Sequence, residues 1–148
     1  MEEQIYDHCF VCGPRNATGL QLKIAYDNGE ARAELLADAR WEGYPGVVHG
    51  GVLCALLDDL VCHAAYSAIG QYAITATIEV RFRSPARVGS YLCCRARVDG
   101  AGPDRPSAQG RLVEAEGEIH DRDGRLIATA KSKLMIMSQD QLDGFIGT

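Results

Sequence analysis

Positive charge is scarce in this chain. Fifteen Lys and Arg stand against twenty Asp and Glu, a net charge of −5, and lysine supplies only three of the fifteen. An acidic chain repels phosphate at long range, which excludes an overall electrostatic grip on nucleic acid. The start, Met1-Glu2-Glu3-Gln4, lacks the basic residues and apolar core of a signal peptide. Long apolar runs are missing too. The longest stretch without a formal charge, Leu60 to Ile78, holds His, Ser, Gly, Gln and two Tyr, too polar a set for a bilayer span. A cytoplasmic protein with no membrane partner is expected. There is no Gly-x-Ser-x-Gly elbow, no phosphate loop and no dinucleotide fingerprint, so those routes to catalysis have no support. Repeats, low-complexity tracts and linkers are absent, and 148 residues are expected to form one domain, 1–148. The balance that remains, 47% apolar and 24% charged, can bury a core and excludes a disordered chain.

Six cysteines in a reducing compartment should be mostly thiols. Cys54 and Cys62 fall in an apolar helical run and Cys93 and Cys94 in a strand pattern, where small buried hydrophobes belong. His8-Cys9-Phe10-Val11-Cys12-Gly13 is the one arrangement with metal-ligand spacing. Zinc in a structural site takes about four protein ligands, and no second Cys-x-x-Cys or His pair is present. Residues 1–18 are therefore read as a tight Cys-containing turn and no metal is expected, although a site shared between subunits would fit the same spacing.

Leu20, Leu22, Ile24 and Tyr26 alternate with Gln21, Lys23, Ala25 and Asp27, which predicts a half-buried strand. Asn28-Gly29 predicts a hairpin turn, with Ala31 to Leu36 returning. From Gly50 to about Ala68, Leu53, Leu56, Leu57, Leu60, Val61 and Ala64 recur at helical spacing, and Val52, Ala55 and Ala65 make the other sides apolar. Such a helix is buried, and Gly70 is a natural stop. Four strand patterns follow, around Ala76–Phe82, Leu92–Val98, Val113–Ile119 and Arg125–Met137, with a Pro- and Gly-rich loop at Gly100–Ser107 and a short helix or tail over 139–148. Successive hairpins would make these strands antiparallel. The prediction is an α+β fold: a single antiparallel sheet wrapped around one long central helix.

Asp58 and Asp59 are the only formal charges between Glu42 and Glu79. Carboxylates inside an apolar helix are costly and need a reason. Asp59 could reach solvent or an ion pair, Asp58 could accept backbone N–H groups, or one of them could line an active site. His49-Gly50-Gly51 at the helix start leaves backbone amides with no side chain in the way, at the positive end of the helix dipole. These suit a developing negative oxygen. Asp58 lies about 12 Å along the helix from those amides, so one chain cannot easily bring both to one carbonyl. Helices from two chains can.

The run His49-Gly50-Gly51-Val52-Leu53-Cys54-Ala55-Leu56-Leu57-Asp58 resembles the motif of hotdog-fold acyl-CoA thioesterases of the phenylacetate-pathway and 4-hydroxybenzoyl-CoA type. Phe82-Arg83-Ser84-Pro85-Ala86-Arg87-Val88-Gly89 resembles the strand-end turn of that family, and Cys9 to Leu20 a start seen in many members. The resemblance implies a hotdog fold and hydrolysis of an acyl-CoA or acyl-carrier thioester without metal or redox cofactor. By the same resemblance Asp58 would be general base or nucleophile and the Gly50 and Gly51 amides the oxyanion hole. His49 would shape the loop and contact substrate, and Thr75 would stand near the attacking water. Gly43 departs from the family, some members of which carry an amide there; Glu42 or a loop group is the candidate to replace it.

Trp41 and Tyr44 could wall an acyl pocket or pack as a loop lid. Arg81, Arg83, Arg87, Arg95 and Arg97 fall in residues 80–98, which contain no acid. They are either solvated strand faces or a docking surface for the phosphates of CoA, which suits the arginine fork. Two other functions compete: a non-catalytic module that binds acyl-CoA, and a hydratase or dehydratase, which would place a catalytic His beside an acid in a different motif. An open sheet edge invites pairing with a second copy, so a homodimer or a dimer of dimers is expected. Size-exclusion chromatography at micromolar concentration should show no 16.0 kDa species, and elution as a monomer would contradict this.

Overall fold

The computed structural model describes residues 3–99 and 112–147, so the predicted loop at Gly100–Ser107 lies outside the described residues. Its elements run α1 (Glu3–Tyr6), β1 (Ala25–Asp27), β2 (Glu30–Leu36), α2 (Gly50–Ile69), β3 (Ala73–Phe82), β4 (Tyr91–Val98), β5 (Leu112–Asp121), β6 (Leu126–Ile136) and α3 (Gln139–Phe145). The six strands form one sheet in the order β1-β2-β4-β5-β6-β3, and every pairing is antiparallel. Asn28 and Gly29 take φ of 48° and 80°, the left-handed pair a tight hairpin requires. Gly70, at φ 75°, caps α2 where the sequence places its end. Ser138 and Gln141 close a capping box on α3.

Two expectations need correction. The strand predicted from Leu20 is reduced to Ala25–Asp27. Leu20 and Leu22 instead donate their N–H groups to the carbonyls of Phe10 (2.8 Å) and Val11 (2.7 Å), so this stretch is tied to the Cys turn rather than to the sheet. The four later strands are also not a run of hairpins. β3 sits at the far edge beside β6, and β4 lies between β2 and β5. Alternation fixes which face a side chain takes but carries no information about which strand is the neighbour.

α2 lies across the inner face of the sheet, with Leu56, Leu57, Leu60, Val61, Ala64 and Ala65 fully buried. By length and composition α2 could cross a membrane, with a hydropathy of 1.6. In this fold the sheet covers the side carrying Leu53, Leu56, Leu57, Leu60, Val61 and Ala64, while Val52, Cys54, Ala55 and Cys62 on the other flank are only partly buried. Beneath it runs a transverse row of mostly small residues in register, Ala31, Ala96, Gly117, Ala130 and Val80, one from each of five strands. At its middle, a Cβ on Gly117 would stand 2.9 Å from Leu57 Cδ2, closer than side chains approach. The missing side chain lets helix and sheet close to contact. Each of the buried leucines then contributes about 1.5–3 kcal/mol.

β3 breaks its own alternation. Its pairing with β6 slips between Thr75 and Thr77, so Ala76 is an extra residue. Ile78, Val80 and Phe82 pair with Ser132, Ala130 and Ala128. Past the bulge, Thr75 and Ala73 pair with Leu134 and Ile136, on that same face. Without the bulge, Ala76 and Ile74 would face the helix and Thr75 would face away.

Gly117→Val should overpack the contact with Leu57 and lower stability by about 1–3 kcal/mol, read from the denaturant midpoint. An unchanged midpoint would contradict the packing described.

Candidate active site

The loop before α2 is built around His49. Its N–H donates to the Trp41 carbonyl at 2.7 Å, and Val48 N–H donates to the Ala86 carbonyl at 2.8 Å. His49 is the N-cap, and its Nδ1 accepts from Gly51 N–H at 2.8 Å. This corrects one expectation: the Gly51 amide is already engaged and is not available to an oxyanion. Val52 and Leu53 N–H point back to the His49 carbonyl. Among the described residues, Gly50 is left as the amide of the first helical turn with no protein acceptor. A Cβ on Gly50 would come within 3.3 Å of the Phe82 ring, and one on Gly51 within 2.9 Å of His49 Nδ1. A side chain at Gly51 would collide with the His49 ring, whereas one at Gly50 needs only a shift of a few tenths of an ångström by the exposed Phe82 ring.

The two adjacent carboxylates point to different surroundings, as the 100° step of a helix requires. Asp58 turns toward β3, where Thr75 Oγ1 donates to its Oδ1 at 2.6 Å. Cys62 Sγ lies 3.5 Å from the same hydroxyl. Burial pushes the Cys62 thiol up to about 12, so it stays protonated beside the pair. Asp59 turns toward the N-terminal turn. Cys9 Sγ is 3.7 Å from its Oδ1, and His63 Nδ1 is 3.7 Å from its Oδ2 and 2.9 Å from its backbone carbonyl. Burial raises the carboxyl of Asp59 above its usual range. Asp59 is thus neither solvated nor beside Thr75. No spacing in the sequence showed that Cys9 and Asp59, fifty positions apart, would meet.

Trp41, half-buried, lines a shallow hollow of about 400 Å³ with Phe10, Leu20, His49 and Val52. Tyr44 is 84% exposed and lies apart from that hollow. Glu42 is engaged in its own loop, accepting from Gly46 N–H at 2.8 Å. A Cβ at Gly43 would lie 3.1 Å from His49 Cα, so a side chain there would crowd the cap.

The acid-free stretch 80–98 does not fold into a basic patch. Arg95 and Arg97 sit opposite Glu118 and Glu116 on β5. Arg97 pairs with Glu116 at 3.4 Å and Arg81 with Glu79 at 3.1 Å. These residues line an outer groove of about 330 Å³ together with Glu30 and Lys131. Cross-strand neighbours, invisible in a linear charge count, supply the acids. Arg83 and Arg87 are different: both are exposed in the β3–β4 connection, and Arg87 bridges to Val47, two residues before His49.

Residues 45–128, more than half of the chain, match the model of the thioesterase superfamily. The chain belongs to that superfamily. No curated protein matches it. Among solved structures, this thioesterase-superfamily chain is similar to the PaaI protein of Escherichia coli, from the phenylacetic acid degradation operon, at 23% identity and TM-score 0.68 over 78% of this chain and 83% of that one. It is similar to a phenylacetic acid degradation-related protein of Ralstonia eutropha JMP134, at 29% identity and TM-score 0.66 over 82% and 89%. A Streptococcus mutans UA159 protein bound to acetyl CoA matches at 14% identity and TM-score 0.69 over 79% and 89%. Element order, the sheet around α2 and these likenesses make the fold a hotdog fold.

His49→Ala removes the cap of α2 and should cost about 1 kcal/mol of stability, read by thermal or chemical unfolding. No change would mean that the Gly51 N–H finds an equal partner elsewhere.

Proposed function

We propose that the protein hydrolyses an acyl-CoA thioester, or an acyl-carrier thioester, to the free acid and the thiol. The observation that carries this reading is the Thr75–Asp58 pair at 2.6 Å, on the flank of α2 that faces the open edge strand β3. The superfamily, and a fold-level relative solved with acetyl CoA, support the substrate class.

Asp58 accepts a proton from water as the water oxygen attacks the thioester carbon; in the alternative route its carboxylate attacks that carbon, the thiolate leaves with a proton from solvent, and water then hydrolyses the acyl-Asp58 anhydride to the free acid and the restored carboxylate. Thr75 holds Oδ1 in place and shares the water's hydrogen bonds. The carbonyl oxygen, as it gains charge, receives the Gly50 N–H at the positive end of α2. The C–S bond then breaks and the thiolate leaves, taking a proton from the acid formed at Asp58 or from solvent. No metal or redox group is required.

Eight residues of helix separate Gly50 from Asp58, about 12 Å of rise, so the two act on one carbonyl only if they come from different chains. In a dimer formed along β3 the edge is paired, and α2 of one chain brings its N-terminus toward Asp58 of the other. Arg83 and Arg87, exposed in the β3–β4 connection that meets the α2 start, are the candidates to meet CoA phosphates. Trp41 and His49 border the same region.

Asp58→Ala should lower kcat on a responsive acyl-CoA by about a hundredfold or more while the fold is kept. Thr75→Val should lower kcat less, and Asp59→Ala should not reproduce the Asp58 effect. A panel of short, aromatic and long acyl-CoAs, followed by thiol release, finds the substrate. Tight binding of these thioesters without thiol release would establish a binding module instead.

A further inference from the structure

The Cys turn and Asp59 have no part in the chemistry above, yet the fold gathers them. Cys9 Sγ, Cys12 Sγ and a carboxylate oxygen of Asp59 lie within 4.8 Å of one another. Zinc bonds of about 2.3 Å to sulfur and 2.0–2.2 Å to oxygen, at a tetrahedral angle, set such ligands about 3.5 Å apart. Cys9 Sγ and Asp59 Oδ1 stand at 3.7 Å. Asp59 Oδ2 is a buried oxygen with no hydrogen-bond partner among the described residues. Buried acceptors are ordinarily satisfied, so this one needs an explanation. His63 Nδ1 lies 3.7 Å from this oxygen, an ion pair only when the ring is protonated, and makes its hydrogen bond with the Asp59 carbonyl at 2.9 Å; the other oxygen, Oδ1, is the one that faces the Cys9 thiol. We propose that Cys9, Cys12 and Asp59 bind one divalent thiophilic cation, zinc by its donor preference, that fastens the N-terminal turn to α2.

The turn is shaped for this before any ion arrives. Cys12 N–H donates to Cys9 Sγ at 3.5 Å, and Gly13 N–H to the Cys9 carbonyl at 2.9 Å. Backbone donors to sulfur favour the thiolate that a metal needs. A Cβ at Gly13 would lie 2.4 Å from Cys9 N and 2.5 Å from Cys9 O, so no side chain is tolerated where the turn closes. Two sulfurs and an oxygen are the borderline-soft set that zinc takes. The fourth position falls to water. Cys12 borders a cavity of about 580 Å³ that Tyr6, Tyr26 and His63 also line, which gives that water a route to solvent. Binding releases the two thiol protons to solvent. The site sits one residue from Asp58, so the ion would anchor the register of α2 without touching substrate. The proposal does not rest on the thioesterase reading.

The test uses the full chain, reduced, stripped with a chelator and desalted, then titrated with Zn²⁺ against a chromophoric chelator. One zinc per chain is expected. Cys12→Ser and the isosteric Asp59→Asn should each weaken binding at least about tenfold, and Cys93→Ser should not. Titration with Co²⁺ alone should give a thiolate-to-cobalt charge-transfer band, lost in Cys9→Ser. Substoichiometric zinc and no cobalt band in the unaltered chain would overturn the proposal, whatever the variants do. Undiminished zinc affinity in Asp59→Asn, or loss of binding in Cys93→Ser, would overturn the three-ligand site.

Discussion

The contact of Leu57 with the bare backbone of Gly117 decides how close α2 comes to its sheet. The row Ala31, Ala96, Gly117, Ala130 and Val80 makes a trough across five strands, and the leucines of α2 fill it. Once the helix is seated there, its rotation is fixed. Asp58 must then face β3 and Asp59 the N-terminal turn, because neighbouring helix residues diverge by about 100°. One packing contact thus distributes two carboxylates between two sites, and each site is completed from a remote stretch of chain.

On the β3 side the completing device is the bulge at Ala76. It reverses the facing of Thr75 and places a hydroxyl on a carboxylate at the sheet's edge. Bulges cost local pairing and re-aim a side chain, and an edge strand is where that cost is least. At the other end of α2, His49 consumes the Gly51 amide and leaves that of Gly50. The proposed base, Asp58, and the proposed oxyanion donor, Gly50, therefore stand at opposite ends of an 8-residue span. The proposed pairing of a second copy along β3 would join them.

Much of this was legible in the sequence. Leu53 to Ala64 announced a buried helix, and the alternations named β2 to β6, because burial writes its period into the residues. The His49–Asp58 run carried the family. What stayed hidden depends on neighbours. The bulge at Ala76 follows no turn residue. The placement of β3 beside β6 leaves no periodic trace. The acids opposite Arg95 and Arg97 lie on other strands, so a segment that reads as +5 folds into alternating charge. Cys9-x-x-Cys12 showed two ligands, and its third group, Asp59, is fifty positions away. Which glycine amide at the α2 start stays unpaired also leaves no trace in the sequence, because the capping reach of the His49 ring is set by conformation.

The claim on which most depends is that one active site draws on two chains. Gly50→Pro removes the proposed oxyanion N–H at the first helical position, where proline is tolerated, and His49 already has the extended backbone that precedes proline, at ψ 133°. Gly50→Pro and Asp58→Ala are each expected to be nearly inactive alone. Mixed in equal amounts, unfolded together and refolded, they should recover about a quarter of wild-type acyl-CoA hydrolysis, since half the dimers are hybrids and one of the two sites in each is intact. Failure to recover activity from a mixture that has refolded into dimers would contradict the shared site.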